Sequence, residues 1–186
     1  GRPPGPAGLA FWAARLDGGV SPTRVAAQLL ATAEARGRAC DDAYRLVLDR
    51  PADAGGRAWC ASQLAAGRDA SWVLARLAGS AEAWYRAGGD PGAWVDRLYQ
   101  VGLGRTPGDA ERGFWMGRLG GGWSPTRVAR AVIESAEGQA AVVDRQYRAT
   151  LGRAPDAAGL AYWVGRLRGG LSDVTFRAHL LGSAEM

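Results

Sequence analysis

The sequence predicts an all-α protein: a tandem array of three-helix units with a short fourth helix, in four copies of which the first is truncated. Three observations carry this. The same residues recur in register along the chain. Within each unit the apolar residues fall at helical spacing. No stretch shows the alternation and turn chemistry of a strand. With Arg2, Arg50, Arg105 and Arg153 as origin, Leu16, Leu64, Leu119 and Leu167 stand fourteen residues later. Glu34, Glu82, Glu137 and Glu185 stand thirty-two residues after the same origin, and Tyr44, Tyr99 and Tyr147 six residues before its last three members. The steps are 48, 55 and 48 residues, the long one containing seven extra residues around Gly88–Gly92. Self-similarity at such a period marks a repeat architecture. The units are 1–38 (partial, helices B and C), 39–86, 94–141 and 142–186, with 87–93 an inserted loop.

The last copy shows the elements most clearly. Helix A is expected from about Val142 to Leu151, with Val143, Tyr147 and Leu151 on one face and Gly152 as a left-handed cap. Pro155-Asp156 opens helix B, whose Asp side chain can accept orphan backbone N–H groups. Helix B carries Leu160, Tyr162, Trp163 and Leu167 and stops at Gly169-Gly170. Helix C starts at Ser172 and carries Phe176, Leu180 and Leu181. The sister copies place Ser21-Pro22 and Ser124-Pro125 there, a Ser cap with Pro in the first turn; copy two uses Asp69. Ser183-Ala184-Glu185 begins a short helix or leads into another helix A. The first copy lacks its own helix A, and neither end carries a polar capping repeat. The chain is therefore expected to be a window on a longer array, or to be completed end to end by neighbouring chains.

Composition bounds the function. The 186 residues are 47% hydrophobic and 22% charged, and all 23 basic residues are Arg. Lys and Asn are absent while Ala, Gly, Arg and Pro abound, a bias that high-GC coding explains. A net charge of +5 suits anionic partners. However, the Arg residues recur beside Asp and Glu instead of clustering, which argues against nucleic acid. No apolar run approaches the roughly 20 residues of a membrane span, and no charged-then-apolar leader opens the chain.

The recurring residues suit packing. The origin Arg, between a helix end and a Pro-Asp start, can bond helix-end carbonyls and a carboxylate. The eight residues Arg2, Arg50, Arg105, Arg153, Glu34, Glu82, Glu137 and Glu185 are expected to pin the repeat. The pairs Phe11-Trp12, Trp59-Cys60, Phe114-Trp115 and Tyr162-Trp163 place Trp in the core. Cys60 takes the register of Trp12, Trp115 and Trp163, and Cys40 that of Val95 and Val143. Both cysteines thus face one unit's core, from helices B and A. A disulfide between them would add roughly 3 kcal/mol and would imply an oxidising compartment.

Residues that break the register are the binding candidates. Trp72 stands where the sisters have Arg24, Arg127 and Thr175, and Trp123 where they have Val20, Arg68 and Leu171. Trp84 and Tyr85 flank the insertion, whereas Trp94 aligns with Val142 and is expected in the core. Rings at otherwise polar positions suit flat ligands such as sugar faces.

The strings LYQVGLGRTPGDAERGFWMGRL and QYRATLGRAPDAAGLAYWVGRLRGGLSDVTFRAHLLGSAEM resemble the repeat of the bacterial domain-of-unknown-function family 4214. Its pattern is Tyr-Arg, Leu-Gly-Arg-x-Pro-Asp, Gly-Leu-x-Tyr-Trp, a Gly turn, a third helix and Ser-x-Glu. Copy two departs most, at Leu48-Asp49-Arg50 and Cys60; copy three moves its Asp to Asp109. The Leu-Gly-Arg-x-Pro stretch is also similar to the linker polypeptides of phycobilisomes. The resemblance implies a helical module of a bacterial secreted or cell-surface protein, and supplies no catalytic residue.

No nucleophile elbow, phosphate loop or Cys-His pair is present, and His179 is the only imidazole. No enzyme, cofactor or metal site is expected. Two classes remain. One is an extracellular or cell-surface binding (or adhesion) module that takes an envelope polysaccharide through off-pattern Trp and Arg. The other is a scaffold that self-associates, or joins other repeats, through open ends.

Overall fold

The computed structural model describes residues 5–183, and Arg2 and Glu185 lie outside them. Twelve helices are present among the described residues, and no strand. In the first copy α1 (Pro6–Asp17) and α2 (Pro22–Leu30) are helices B and C. Copy two comprises α3 (Ala33–Leu48), α4 (Ala54–Ala65) and α5 (Ala70–Ala78), followed by the short α6 (Ala81–Arg86). Copy three comprises α7 (Pro91–Leu103), α8 (Asp109–Gly120) and α9 (Pro125–Ile133). Copy four comprises α10 (Ala136–Leu151), α11 (Ala157–Arg168) and α12 (Asp173–Leu181).

Helix A begins earlier than its apolar face suggests. In α3 and α10 the Thr/Ser-Ala-Glu triplet is the first turn of helix A itself, Thr32 accepting the Ala35 N–H at 3.2 Å and Ser135 that of Gly138 at 3.0 Å. Unit boundaries at 38/39 and 141/142 therefore fall inside helices; the structural joints are the caps. Among the described residues a separate fourth helix occurs once, as α6, where Gly88 and Gly89 at φ 72 and 70 break it from α7. The other caps follow the sequence: Asp53 and Asp156 accept N–H groups at 2.7 and 2.6 Å, and Ser21, Ser124 and Ser172 at 3.4, 3.3 and 3.2 Å. Two departures stand out. In copy three Glu111, not Asp109, serves the helix start, accepting the Gly108 N–H at 2.8 Å. Asp69 does not cap its own helix: it accepts the Asp173 N–H at 3.3 Å, while Asp173 accepts the Ala70 N–H at 2.9 Å. The starts of α5 and α12 thus cap each other.

Within a unit, helix B lies on helix A. Trp115 donates its indole N–H to Tyr99 Oη at 2.8 Å and Trp163 to Tyr147 Oη at 2.9 Å. Copy two replaces this tie with a Cys40–Cys60 disulfide, Cα atoms 5.8 Å apart and both side chains fully buried. Carboxylate–guanidinium pairs reinforce the same contact, Asp41 with Arg57 and Asp96 with Arg112, each at 2.7 Å. The expected pins form wherever both partners are described. Arg50 grips Glu82 at 2.7 and 2.6 Å, and Arg105 grips Glu137 at 2.5 and 3.0 Å. Each origin Arg also lies over the Tyr six residues earlier, at 5.4, 5.1 and 5.6 Å for Arg50, Arg105 and Arg153. The carbonyl each one reaches is that of the following residue rather than a helix end. Glu34 accepts from Arg38 at 2.7 Å. Asp49 is the one non-glycine residue at positive φ among those described, at 51°, where copies three and four have Gly104 and Gly152. An ion pair from Arg97 at 2.6 Å holds it there.

Copies two and three share one core, centred on Leu48, Val73, Trp94, Leu98, Val128 and Ile133, and copy four builds its own around Val143 and Phe176. Trp94 is 2% exposed and donates to the Ala78 carbonyl at 2.9 Å. C helices pair across copies, α5 on α9 and α2 on α12. Both crossings use one device: the glycine ending one helix C lies on the threonine opening the other, Gly79 on Thr126 and Gly182 on Thr23. An added Cβ at either glycine would collide with the facing backbone. Against the expectation of two open ends, the first and last copies cover each other's C helices. By contrast, α1 buries no side chain, and Leu9, Phe11 and Leu16 are 58%, 54% and 44% exposed.

Candidate functional site

The pairing of α5 with α9 brings two off-register tryptophans together. Trp72 from α5 and Trp123, at the turn before α9, line one groove of about 600 Å³ with Arg76, Arg127, Arg130 and Glu134. Its base is the helix crossing itself, where Thr126 donates its hydroxyl to the Gly79 carbonyl at 3.2 Å. Trp72 is backed by Trp59, ring centroids 6.3 Å apart. Trp59 occupies the register at which Phe11, Phe114 and Tyr162 stand 54%, 51% and 57% exposed in the other copies. Arg68 and Arg76 lie 5.1 and 5.7 Å from the Trp72 ring, and Arg118 and Arg127 5.0 and 3.8 Å from that of Trp123. Glu134 is held by Arg130 through two bonds of 3.1 Å, which raise the Arg130 pKa above its usual value. A second hollow of about 390 Å³ continues past Trp72 to Gln139 and Arg168.

The other two aromatic candidates lie elsewhere. Trp84 packs on Trp94 at 5.8 Å and joins the core of copies two and three. Its departure from the repeat is met by the core, so it is not a wall of this groove. Tyr85 is 77% exposed beside the insertion and does not line the groove. The arginines that complete the site were not singled out from the sequence, although a signal for them existed. Trp72 and Arg76 are spaced four apart on α5, the spacing at which helical neighbours meet, while Arg68 and Trp123 stand in the turns before α5 and α9.

A cavity of similar size, about 610 Å³, lies where copies one, two and four meet, lined by Trp12, Leu30, Glu34, Asp69, Asp173 and Arg177 among others. Its carboxylates are engaged, Glu34 by Arg38, Asp42 by Arg45, and Asp69 and Asp173 as mutual helix caps. His179 is exposed on α12 and stacks on Trp163 at 5.7 Å. Among the described residues no three His, Cys, Asp or Glu side chains gather as a metal site, and no helix is long and apolar enough to cross a membrane.

Fold and groove together define an all-α repeat protein whose unit is held by Tyr–Arg–Glu ties. Residues 74–142 and 138–185 match the model of a family described as Domain of unknown function (DUF4214). The chain belongs to that family. No curated protein and no solved structure matches it.

Proposed function

We propose that the protein is a non-catalytic binding module of a secreted or cell-surface bacterial protein, and that it holds a segment of extracellular or envelope polysaccharide between Trp72 and Trp123. One observation carries this: two tryptophans absent from the repeat pattern meet in a single groove. The α2/α12 pair packs through the same Gly–Thr contact with Thr175 in place of Trp72 and Val20 in place of Trp123. Helix pairing therefore does not require the rings. Amphipathic indoles with adjacent hydrogen-bond donors suit sugar recognition. The buried disulfide fits an oxidising compartment. A glycan array followed by tryptophan-fluorescence titration tests this. A polysaccharide hit should be lost, by about tenfold or more in affinity, in Trp72→Ala and Trp123→Ala but not in Tyr85→Ala. Hits insensitive to both Trp substitutions would reject the groove.

One observation favours a second function, assembly. The apolar residues bared on α1 suit burial against a partner. Sedimentation analysis would show oligomers that Phe11→Ser disperses; a monomer at all concentrations would exclude self-association through this face.

A further inference from the structure

The walls of the groove are charged as well as aromatic. Arg68, Arg76, Arg118 and Arg127 all lie against the two indoles, and none has an ion-pair partner among the described residues. Several arginines elsewhere are neutralised: Arg50, Arg57, Arg97, Arg105, Arg112 and Arg148 each hold a carboxylate. The one carboxylate lining the groove, Glu134, is taken by Arg130. Arg168, in the adjoining hollow, has no ion-pair partner among the described residues either. The α2/α12 pair again serves as an internal control. It has Leu171 for Arg68, His179 for Arg76, Ala27 for Arg130 and Ala31 for Glu134, and keeps Arg15 and Arg24 in place of Arg118 and Arg127. The two arginines on the Trp72 side, Arg68 and Arg76, are thus particular to this groove.

Accepting the glycan-binding function proposed above, we infer that the ligand is an acidic polysaccharide, a chain bearing carboxylates of the uronate type. A guanidinium on an indole face occupies the surface that a neutral sugar ring would stack on. It leaves its N–H edge free, and that planar fork matches a carboxylate through two parallel hydrogen bonds. The groove and the adjoining hollow place such forks on both sides of Trp72, as a chain with repeated charge requires. Single-stranded nucleic acid is the poorer fit, because its bases need open aromatic faces.

Calorimetric titration of the intact, disulfide-bonded protein tests this with oligogalacturonate and the same oligomer fully methyl-esterified, which keeps the sugar and removes the charge. The acid form should bind at least about tenfold more tightly than the ester, with affinity falling as salt rises. Arg76→Ala and Arg127→Ala, both exposed positions, should each weaken it by about tenfold. Equal affinity for acid and ester would overturn the acidic class while leaving glycan binding intact. Failure of both, together with an empty glycan array, would instead remove the binding function. Tighter binding of a single-stranded oligodeoxynucleotide would replace the glycan with nucleic acid.

Discussion

Arg105 shows how much one side chain of the repeat can organise. It bonds Glu137 from the next helix A and, at 2.8 and 2.7 Å, both oxygens of Glu111 at the start of α8. Glu111 also accepts the Gly108 N–H. These bonds, the Arg105 guanidinium first and the backbone N–H second, hold the Glu111 carboxyl at about 2 against an ordinary 4.5. A carboxyl depressed in the folded state stabilises above its unfolded value, and that contribution fades as pH falls from about 4.5 towards about 2. In Arg105→Ala, Glu111 should titrate close to the ordinary value, kept slightly low by Gly108, and the loss of stability across that window should shrink. Carboxyl-carbon NMR titration reads this directly; an ordinary Glu111 in the unsubstituted protein would contradict the assigned bonds. At this scale much was legible. The fixed separation of thirty-two residues implied the Arg–Glu tie, and the core-facing registers of Cys40 on helix A and Cys60 on helix B implied the disulfide. The mutual capping of Asp69 and Asp173 was not legible, since nothing in local sequence says that two helix starts from different copies face each other.

Among the elements, the crossing of C helices bears the tightest constraint. Gly79 touches the Thr126 backbone, so Gly79→Ala must push α5 from α9 and cost about 1–3 kcal/mol, the range for overpacking. Gly182→Ala should do the same between α12 and α2. Gly113, in the exposed middle of α8, has nothing within 4 Å of an added Cβ. Gly113→Ala should therefore stabilise by up to about 1 kcal/mol through helix propensity. Urea denaturation midpoints distinguish the three variants; equal midpoints would refute the close crossing. Helix identity and order were readable from capping residues and apolar spacing. The start of helix A was not, because its first turn in α10, Ala136 to Gln139, carries no apolar stripe and is helical through the Ser135 cap and its place before the buried face.

Over the whole molecule, copies two and four are joined at the starts of α5 and α12. Burial of the Asp173 carboxyl, and then the neighbouring Asp69 charge, push its pKa above 3.8, its ordinary value. A carboxyl raised in the folded state favours folding below its unfolded value. That contribution is lost as pH rises through the folded one. Stability should thus decline as pH climbs from about 4. Asp173→Asn retains an oxygen for the Ala70 N–H and removes the charge, so it should abolish that decline and gain on the order of 1 kcal/mol at neutral pH. Thermal midpoints across pH check this; parallel curves for both proteins would disprove it. Repetition along the chain was sufficient to assign helices, pins and disulfide, because each depends on a separation that recurs. Which helix C meets which was settled by packing between distant copies, and no periodicity records such a choice. The groove exists for that reason: Trp72 and Trp123 are fifty-one residues apart in the chain and become neighbours through the α5/α9 crossing alone.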